Sequence, residues 1–390
     1  MREVTLVYII TLSLVGFFGC KDISDIKDQD IPFKKISSSY SGIEFSNTIT
    51  PNLENYENLF DYDYFYNGSG VGIADINNDG LQDILFTANQ KDNKLYLNKG
   101  NLKFEDITSN SGINENKGWA SGITFVDINA DGWLDIYISQ GGPYKPSSRE
   151  NVLLINNQDL TFTERSKEYG LNDGGISTQS AFFDYDNDGD LDCIVMNENQ
   201  FFGFDPISFF KKFEDKKVLM ENSSHLYEQI NGKFINVTEK AGILSPTFGL
   251  GLCITDLNDD NWPDIYIAND YYLKDAMYIN NKNGTFSNNI KEATKQISFY
   301  GMGVDIEDIN HDNLSDILVL DMASSDHVRS KTLMASMDTE NFDLITNKLD
   351  QHYQYMFNSL QLNIGNNKYH NIAHQLNIAK TDWSWAGLIF

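Results

Sequence analysis

One nine-residue pattern, Asp-x-Asn/Asp-x-Asp-Gly/Asn-x-x-Asp, occurs five times in this chain and constrains its fold more than any other feature. The first copies are Asp75, Asn77, Asp79, Gly80 and Asp83, then Asp127, Asn129, Asp131, Gly132 and Asp135, then Asp184, Asp186, Asp188, Gly189 and Asp192. The last two are Asp256, Asn258, Asp260, Asn261 and Asp264, and Asp308, Asn310, Asp312, Asn313 and Asp316. The first aspartates lie 52, 57, 72 and 52 residues apart. Recurrence on that scale means an array of like units, each burying its apolar surface against its neighbours.

The residue types fit a hard cation. Ca2+ takes six to eight oxygens, and a tight loop can aim side chains 1, 3, 5 and 9 and the carbonyl of residue 7 at one point. The expected ligands are therefore the Asp and Asn residues at positions 1, 3, 5 and 9 of each copy, with the seventh positions Leu81, Trp133, Asp190, Trp262 and Leu314, giving up to five Ca2+ sites. Gly, or failing that Asn, at position 6 permits a backbone with positive φ. Several carboxylates so close repel one another unless a cation lies between them. A solvated acidic turn explains one such loop better than five. An EF-hand has a bidentate Glu at position 12 between two helices. Here position 12 is Phe86, Ile138, Val195, Ile267 or Val319, inside short β-branched and aromatic runs. Those runs, and others just before each loop, read as strands.

A second line recurs in each unit. Leu95-Tyr96-Leu97-Asn98 leads through Gly100 to Phe104 and then Gly112-Ile113. Its counterparts begin at Leu153, Leu226, Met277 and Leu360. Each unit thus offers two hairpins, or four short strands. The pattern predicts an all-β fold: a β-propeller of four-stranded blades with calcium-loop hairpins, helical insertions in blades three and five, and an incomplete ring.

These loops, in their strand–loop–strand setting, resemble the FG-GAP or VCBS-type repeats of integrin-α-like β-propellers over nearly all of residues 40–390. Phe65-Tyr66-Asn67-Gly68-Ser69-Gly70-Val71, Val319-Leu320-Asp321-Met322 and Asp382-Trp383-Ser384-Trp385 further resemble large lipid-anchored FG-GAP proteins of the Bacteroidota. The C-terminal ASPIC/UnbV domain in which such proteins often continue is not seen here. The resemblance implies a calcium-dependent surface scaffold.

The 390 residues carry 29 basic and 56 acidic side chains, a net charge of −27. A field this negative repels phosphate backbones and anionic lipid, so nucleic acid is not an expected partner. With 41% hydrophobic residues the chain buries a large core, so its acidity is not a mark of disorder. The sixteen loop aspartates hold much of that acidity. At the N-terminus an apolar run from Val4 to Gly19 is too short to span a bilayer and reads as a signal peptide. Phe17-Phe18-Gly19-Cys20 resembles a bacterial lipobox, with Phe17 and Glu3 as departures. This implies lipidation at Cys20, export to the outer membrane, and membrane attachment by the N-terminal lipid only. The alternative is a plain secretory signal. The expected organisation is residues 1–20 as signal, 21–40 as tether and 41–390 as the repeat region. Cys193 and Cys253, each in an apolar run, read as small buried hydrophobes rather than a bridge.

From the last loop Asp to the second line the distance is 12, 18, 34, 13 and 44 residues, so units three and five carry insertions. Loops on a rigid scaffold are where recognition concentrates, and the expected partner is a glycan or extracellular protein. The segment Phe201 to Phe213 reads as a helix, with Asp205 as cap and Pro206 at its first position, packing its phenylalanines on the scaffold or offering them to a ligand. Residues 324–357 also read as helical. No nucleophile elbow, phosphate loop or Cys-x-x-Cys is present, and the six histidines are dispersed, His370 and His374 alone being four apart. No residue is marked as catalytic by these patterns. A glycan-active lyase or hydrolase on the same scaffold is the rival to a binding protein. Residues 383–390 align with the approach to a sixth loop and stop two residues before its first Asp, the pattern of a truncated frame or fragment.

Overall fold

The computed structural model describes residues 34–114, 118–332 and 339–389. Cys20 and the signal segment lie outside the described residues, as do residues 21–33 of the tether. The chain divides into Met1–Ser41, with one helical turn at Ser38–Ser41, and Gly42–Phe390, which holds all the sheets.

Each repeat forms one four-stranded antiparallel sheet whose strands neighbour one another in chain order. The first sheet comprises Val71–Ala74, Asp83–Phe86, Lys94–Asn98 and Phe104–Asp106, and the second Trp119–Val126, Asp135–Gly141, Val152–Asn156 and Phe162–Glu164. The third comprises Ser177–Phe183, Asp192–Asn197, His225–Ile230 and Lys233–Asn236, and the fourth Gly249–Thr255, Asp264–Asn269, Ala276–Asn280 and Phe286–Asn288. The fifth comprises Val304–Glu307, Asp316–Val319, Ser359–Asn363 and Tyr369–Asn371. In all five the ninth-position Asp opens the second strand and pairs with the residue just before the loop, as Ala74 with Asp83 and Glu307 with Asp316.

The second strands carry the core. Asp135–Gly141, Asp192–Asn197 and Asp264–Asn269 are buried along their whole length. Their apolar side chains fill four clusters, one between each successive pair of sheets. Such two-sided burial explains why the runs after each loop are almost continuously apolar. Cys193 is buried and Cys253 half-buried, and both are free thiols.

First strands of successive sheets stand side by side. Hydroxyls stitch them: Ser121 Oγ donates to the Ser177 carbonyl, Thr124 Oγ1 to that of Ser180 and Thr178 Oγ1 to that of Gly249, while Thr87, just past the second strand of the first sheet, donates through Oγ1 to the Ser121 carbonyl. The backbones approach so closely that a Cβ on Gly70, Gly122 or Gly303 would lie 2.4, 2.4 or 2.3 Å from the facing carbonyl of Ser121, Thr178 or Trp385.

The expected all-β propeller is overturned. Among the described residues no sheet closes into a ring or barrel, because the joins between first strands are made by side-chain hydroxyls and packing rather than by a continuous ladder. Helical turns are also spread along the chain instead of being confined to units three and five, with Thr108–Ser111, Ser166–Tyr169 and Ile290–Ala293 following fourth strands. Two of these turns end at Gly112 and Gly170, with φ of 78° and 85°. A Cβ there would press to 2.7 or 2.5 Å on the carbonyl of Phe162 or Phe234 in the next sheet, so glycine serves both the left-handed turn and the close approach.

The third-unit insertion holds helices Pro206–Lys212 and Lys216–Glu221, the first capped by Asp205, which accepts from the Ser208 N–H at 3.1 Å. Phe209 is fully buried and stacks on Phe248 at 5.5 Å, so this ring packs on the scaffold. The fifth insertion differs from expectation. Short turns at Arg329–Thr332, Thr339–Asp343 and Leu344–Lys348 give way to Gln354–Tyr355, a strand paired parallel with Ile297–Ser298. Asp382–Trp383 pairs with Met322–Ala323.

Candidate functional site

Twenty of the twenty-five expected residues lie in the five connections between first and second strands, and the five ninth-position aspartates open the second strands. The first strands run side by side in the same direction, Ser121 beside Ser177 and Thr124 beside Ser180, which places these loops at one end of the sheets. The loops of the first two sheets touch, Asn78 Nδ2 donating to the Gly132 carbonyl at 3.0 Å.

Each loop folds by one scheme. The first Asp accepts through Oδ1 from the backbone N–H of position 5 and through Oδ2 from that of position 6, at 2.7 Å for Asp75 and Gly80 and 2.6 Å for Asp256 and Asn261. The fifth-position Asp accepts from the N–H of position 7, as Asp131 does from Trp133 at 2.9 Å. Position 6 has the expected positive φ in every copy. So does position 4, occupied by Asn78, Ala130, Asn187, Asp259 and His311, which sequence reasoning did not foresee.

The third loop gathers the densest charge. Asp184, Asp186 and Asp188 each bring a carboxylate oxygen within 4.8 Å of the others. Oδ1 of Asp186 and Oδ1 of Asp190 are buried without a hydrogen-bond partner. Burial and the charge of Asp188 raise the Asp186 pKa. In the other four loops Asn replaces Asp at position 3 and donates through Nδ2 to the fifth-position Asp, at 2.9 to 3.1 Å. Oδ1 of Asn258 is likewise buried and unpartnered. Oxygen-only donors with unsatisfied buried oxygens suit a hard divalent cation, since a lost acceptor is otherwise costly. In the fourth loop Lys282 stands 3.2 Å from Asp260 as a partial counter-charge.

The ninth-position aspartates are set apart from the exposed rim of the loops. Asp83, Asp135, Asp192, Asp264 and Asp316 are all buried. Oδ2 accepts from the N–H of loop position 2, and Oδ1 from the N–H of Asn98, Asn156, Gln229, Asn280 or Asn363 at 2.7 to 2.8 Å. Burial pushes Asp135 and Asp264 up to about 6 and Asp192 up to about 7, against the lowering effect of those N–H groups. The partner is the last residue of the Leu-Tyr-Leu-Asn line. Its side chain is a hub that the sequence pattern does not reveal: Asn156 Nδ2 reaches the carbonyls of Leu134 in its own sheet and Ile76 in the preceding one, and Asn280 Nδ2 reaches Pro263 and Tyr185.

An FG-GAP-like repeat model matches residues 66–138 and 256–319, the segments holding loops one, two, four and five. The chain carries an FG-GAP-like repeat region. It is also distantly similar to Cartilage acidic protein 1, with 29% identity over 131 residues of the Xenopus tropicalis protein and 24% over 223 residues of the Mus musculus protein. These alignments cover 33% and 57% of this chain but only 20% and 32% of the relatives, so the chain spans a third or less of their length. Among solved structures, an Agrocybe aegerita lectin described as recognising non-reducing terminal N-acetylglucosamine aligns over 77% of this chain and 64% of its own, with 15% identity and a TM-score of 0.40. A V. cholerae biofilm matrix protein aligns over 66% and 35%, with 13% identity and a TM-score of 0.36. No helix among the described residues is long and apolar enough to cross a membrane.

Proposed function

We propose that this chain is an exported, calcium-stabilised binding scaffold, anchored to the outer membrane by lipid at Cys20, which recognises an extracellular glycan or protein. One observation carries the reading: the two ends of the sheets are chemically different. The aspartate loops join first strands to second at one end, whereas the insertions of units three and five join second strands to third at the other. Metal binding would rigidify one end and leave recognition to the other, the usual division between scaffold and loop. The FG-GAP-like region and the oxygen-only third loop support the calcium part.

The test pairs a glycan and surface-protein array with a turnover assay on any polysaccharide that binds. Saturable binding without product, weakened when residues 204–218 are replaced by a short turn, is the expected result. Release of product from a bound polysaccharide would replace this reading with that of a glycan-active enzyme.

A further inference from the structure

At the end of the sheets away from the aspartate loops, a cavity of about 320 Å3 opens where the first strands begin. Tyr62, Tyr64, Trp119 and Trp385 line it together with Glu198. The rings brace one another: Tyr62 stands edge-on to Trp119 at 5.9 Å and to Tyr64 at 6.2 Å. Tyr62, Tyr64 and Trp119 are nearly buried, in one cluster with Phe65 and Phe209. The walls are therefore preformed, at the small end of the usual range for ligand pockets.

Glu198 is 3% exposed, and the Tyr62 hydroxyl donates to its Oε2 at 2.9 Å. No Lys, Arg or His lines the cavity among the described residues. Arg149, whose charge reaches Glu198, donates instead to the carbonyls of Tyr144, Gly174 and Gly175. The charges of Asp63 and Asp270 add to the negative field, and Asp270 is itself buried, accepting from the Tyr64 hydroxyl at 2.8 Å. The site thus sets beside aromatic walls a buried carboxyl that no cation among the described residues touches, the more distant charge of Arg149 only partly opposing the effect of burial.

A buried carboxylate is costly until a cation pairs with it, and aromatic faces attract cations too. Ser69, Ser121, Ser177, Thr178 and Gln179 also line the cavity, but Glu198 is the one carboxylate in its lining among the described residues, whereas a hard metal ion is held chiefly by several. A neutral sugar could stack on the rings and donate its hydroxyls to Glu198, but it would bring no counter-charge to the carboxyl. We infer that this cavity binds an organic ammonium group, carried by a small amine or an amino sugar, with Glu198 as its counter-ion and Trp119, Tyr62 and Tyr64 as its walls. The site is separate from the metal loops and does not depend on the reading of the insertions.

The test uses the full chain in saturating calcium. Tetramethylammonium chloride and glucosamine are titrated while tryptophan emission and the thermal midpoint are followed, with glucose, N-acetylglucosamine and sodium chloride as neutral and ionic-strength controls. Both ammonium probes are expected to saturate, at least ten-fold tighter than the neutral sugars. E198Q is expected to weaken them at least ten-fold while leaving the response to calcium intact. Equal binding of glucose and glucosamine, no saturation by either ammonium probe, or unchanged ammonium affinity in E198Q would overturn the assignment. If E198Q does not fold, the charged-against-neutral comparison on the unaltered chain decides alone.

Discussion

Replacing Asn156 by Ala tests whether the asparagine hub holds neighbouring sheets together. The Asn156 side chain is buried, donates through Nδ2 to the carbonyls of Ile76 at 2.9 Å and Leu134 at 3.1 Å, and accepts through Oδ1 from the Gln158 N–H at 2.8 Å. Each lost bond costs about 1 kcal/mol net, and a buried acceptor left unpaired costs roughly 1–3 kcal/mol. The Ile76 carbonyl faces that larger penalty, which makes about 3 kcal/mol the expected total. Asn98 provides the control. Its Nδ2 donates to the exposed Gln82 carbonyl and its Oδ1 accepts from the Gly100 N–H, so water can replace much of what Ala removes and about 1 kcal/mol is expected. Urea unfolding at fixed free calcium, followed by tryptophan fluorescence, should separate the two variants by about 2 kcal/mol, and Asn280→Ala should behave like Asn156→Ala. The difference should survive in chelator, since neither acceptor carbonyl belongs to an expected metal ligand. Equal destabilisation by Asn156→Ala and Asn98→Ala would refute the argument that this side chain joins the first two sheets.

Three further outcomes are expected. Chelation should lower the thermal midpoint, because calcium at a hundred times its dissociation constant contributes about 2.7 kcal/mol per site; Asp186→Asn should weaken the third loop on the order of tenfold in a titration, leaving the other loops unchanged. Ala130 has φ of 55°, and Asn, which occupies the same position as Asn78 and Asn187, tolerates that region better, so Ala130→Asn should raise stability by about 0.5–1 kcal/mol in the same urea experiment. The His225 ring bridges Asp173, 2.5 Å from Nδ1, and the Met220 carbonyl, 2.8 Å from Nε2, and two acceptors require the doubly protonated ring. Burial pushes its pKa down, but the charge and hydrogen bond of Asp173 raise it overall; its contribution is full below about pH 6.5 and is lost as pH rises through the raised value, so His225→Gln should flatten the alkaline fall in stability.

What could be read from the chain was what the chemistry repeats at fixed spacing. Asp75 to Asp83 and its four counterparts were visible because oxygen ligands must occupy set loop positions, and the strands after them because two-sided burial demands Ile-Tyr-Ile or Cys-Ile-Val. The turns Thr108–Ser111 and Ser166–Tyr169 were not, since four residues are too few to show a helical period. Positive φ at loop position 4 was hidden by Ala130 and His311, residues that do not mark it. The hub asparagines stood out as a recurring strand end, but their partners lie in the preceding sheet, as Ile76 does for Asn156, 80 residues away. The cavity was least legible of all, because Tyr62, Trp119, Glu198 and Trp385 come from four distant parts of the sequence and meet only when the first strands stand together.

The same hub explains how the repeats accept insertions of such different size. Between second and third strands run six residues in the fourth sheet, 270–275, but thirty-nine in the fifth, 320–358. Closing the longer loop costs only about 1.7 kcal/mol more in chain entropy, because that cost grows with the logarithm of length. The third strand must nonetheless return in register. It does so through one bond common to all five sheets, from the N–H at its end to the ninth-position carboxylate: Asn363 to Asp316 at 2.7 Å after the long insertion, Asn280 to Asp264 at 2.7 Å after the short one. A hydrogen bond to a charged group contributes roughly 1.5–3 kcal/mol, enough to offset the added closure entropy. The ninth aspartate therefore anchors the third strand whatever the loop between contains, so the end of the sheets that varies is the one away from the aspartate loops.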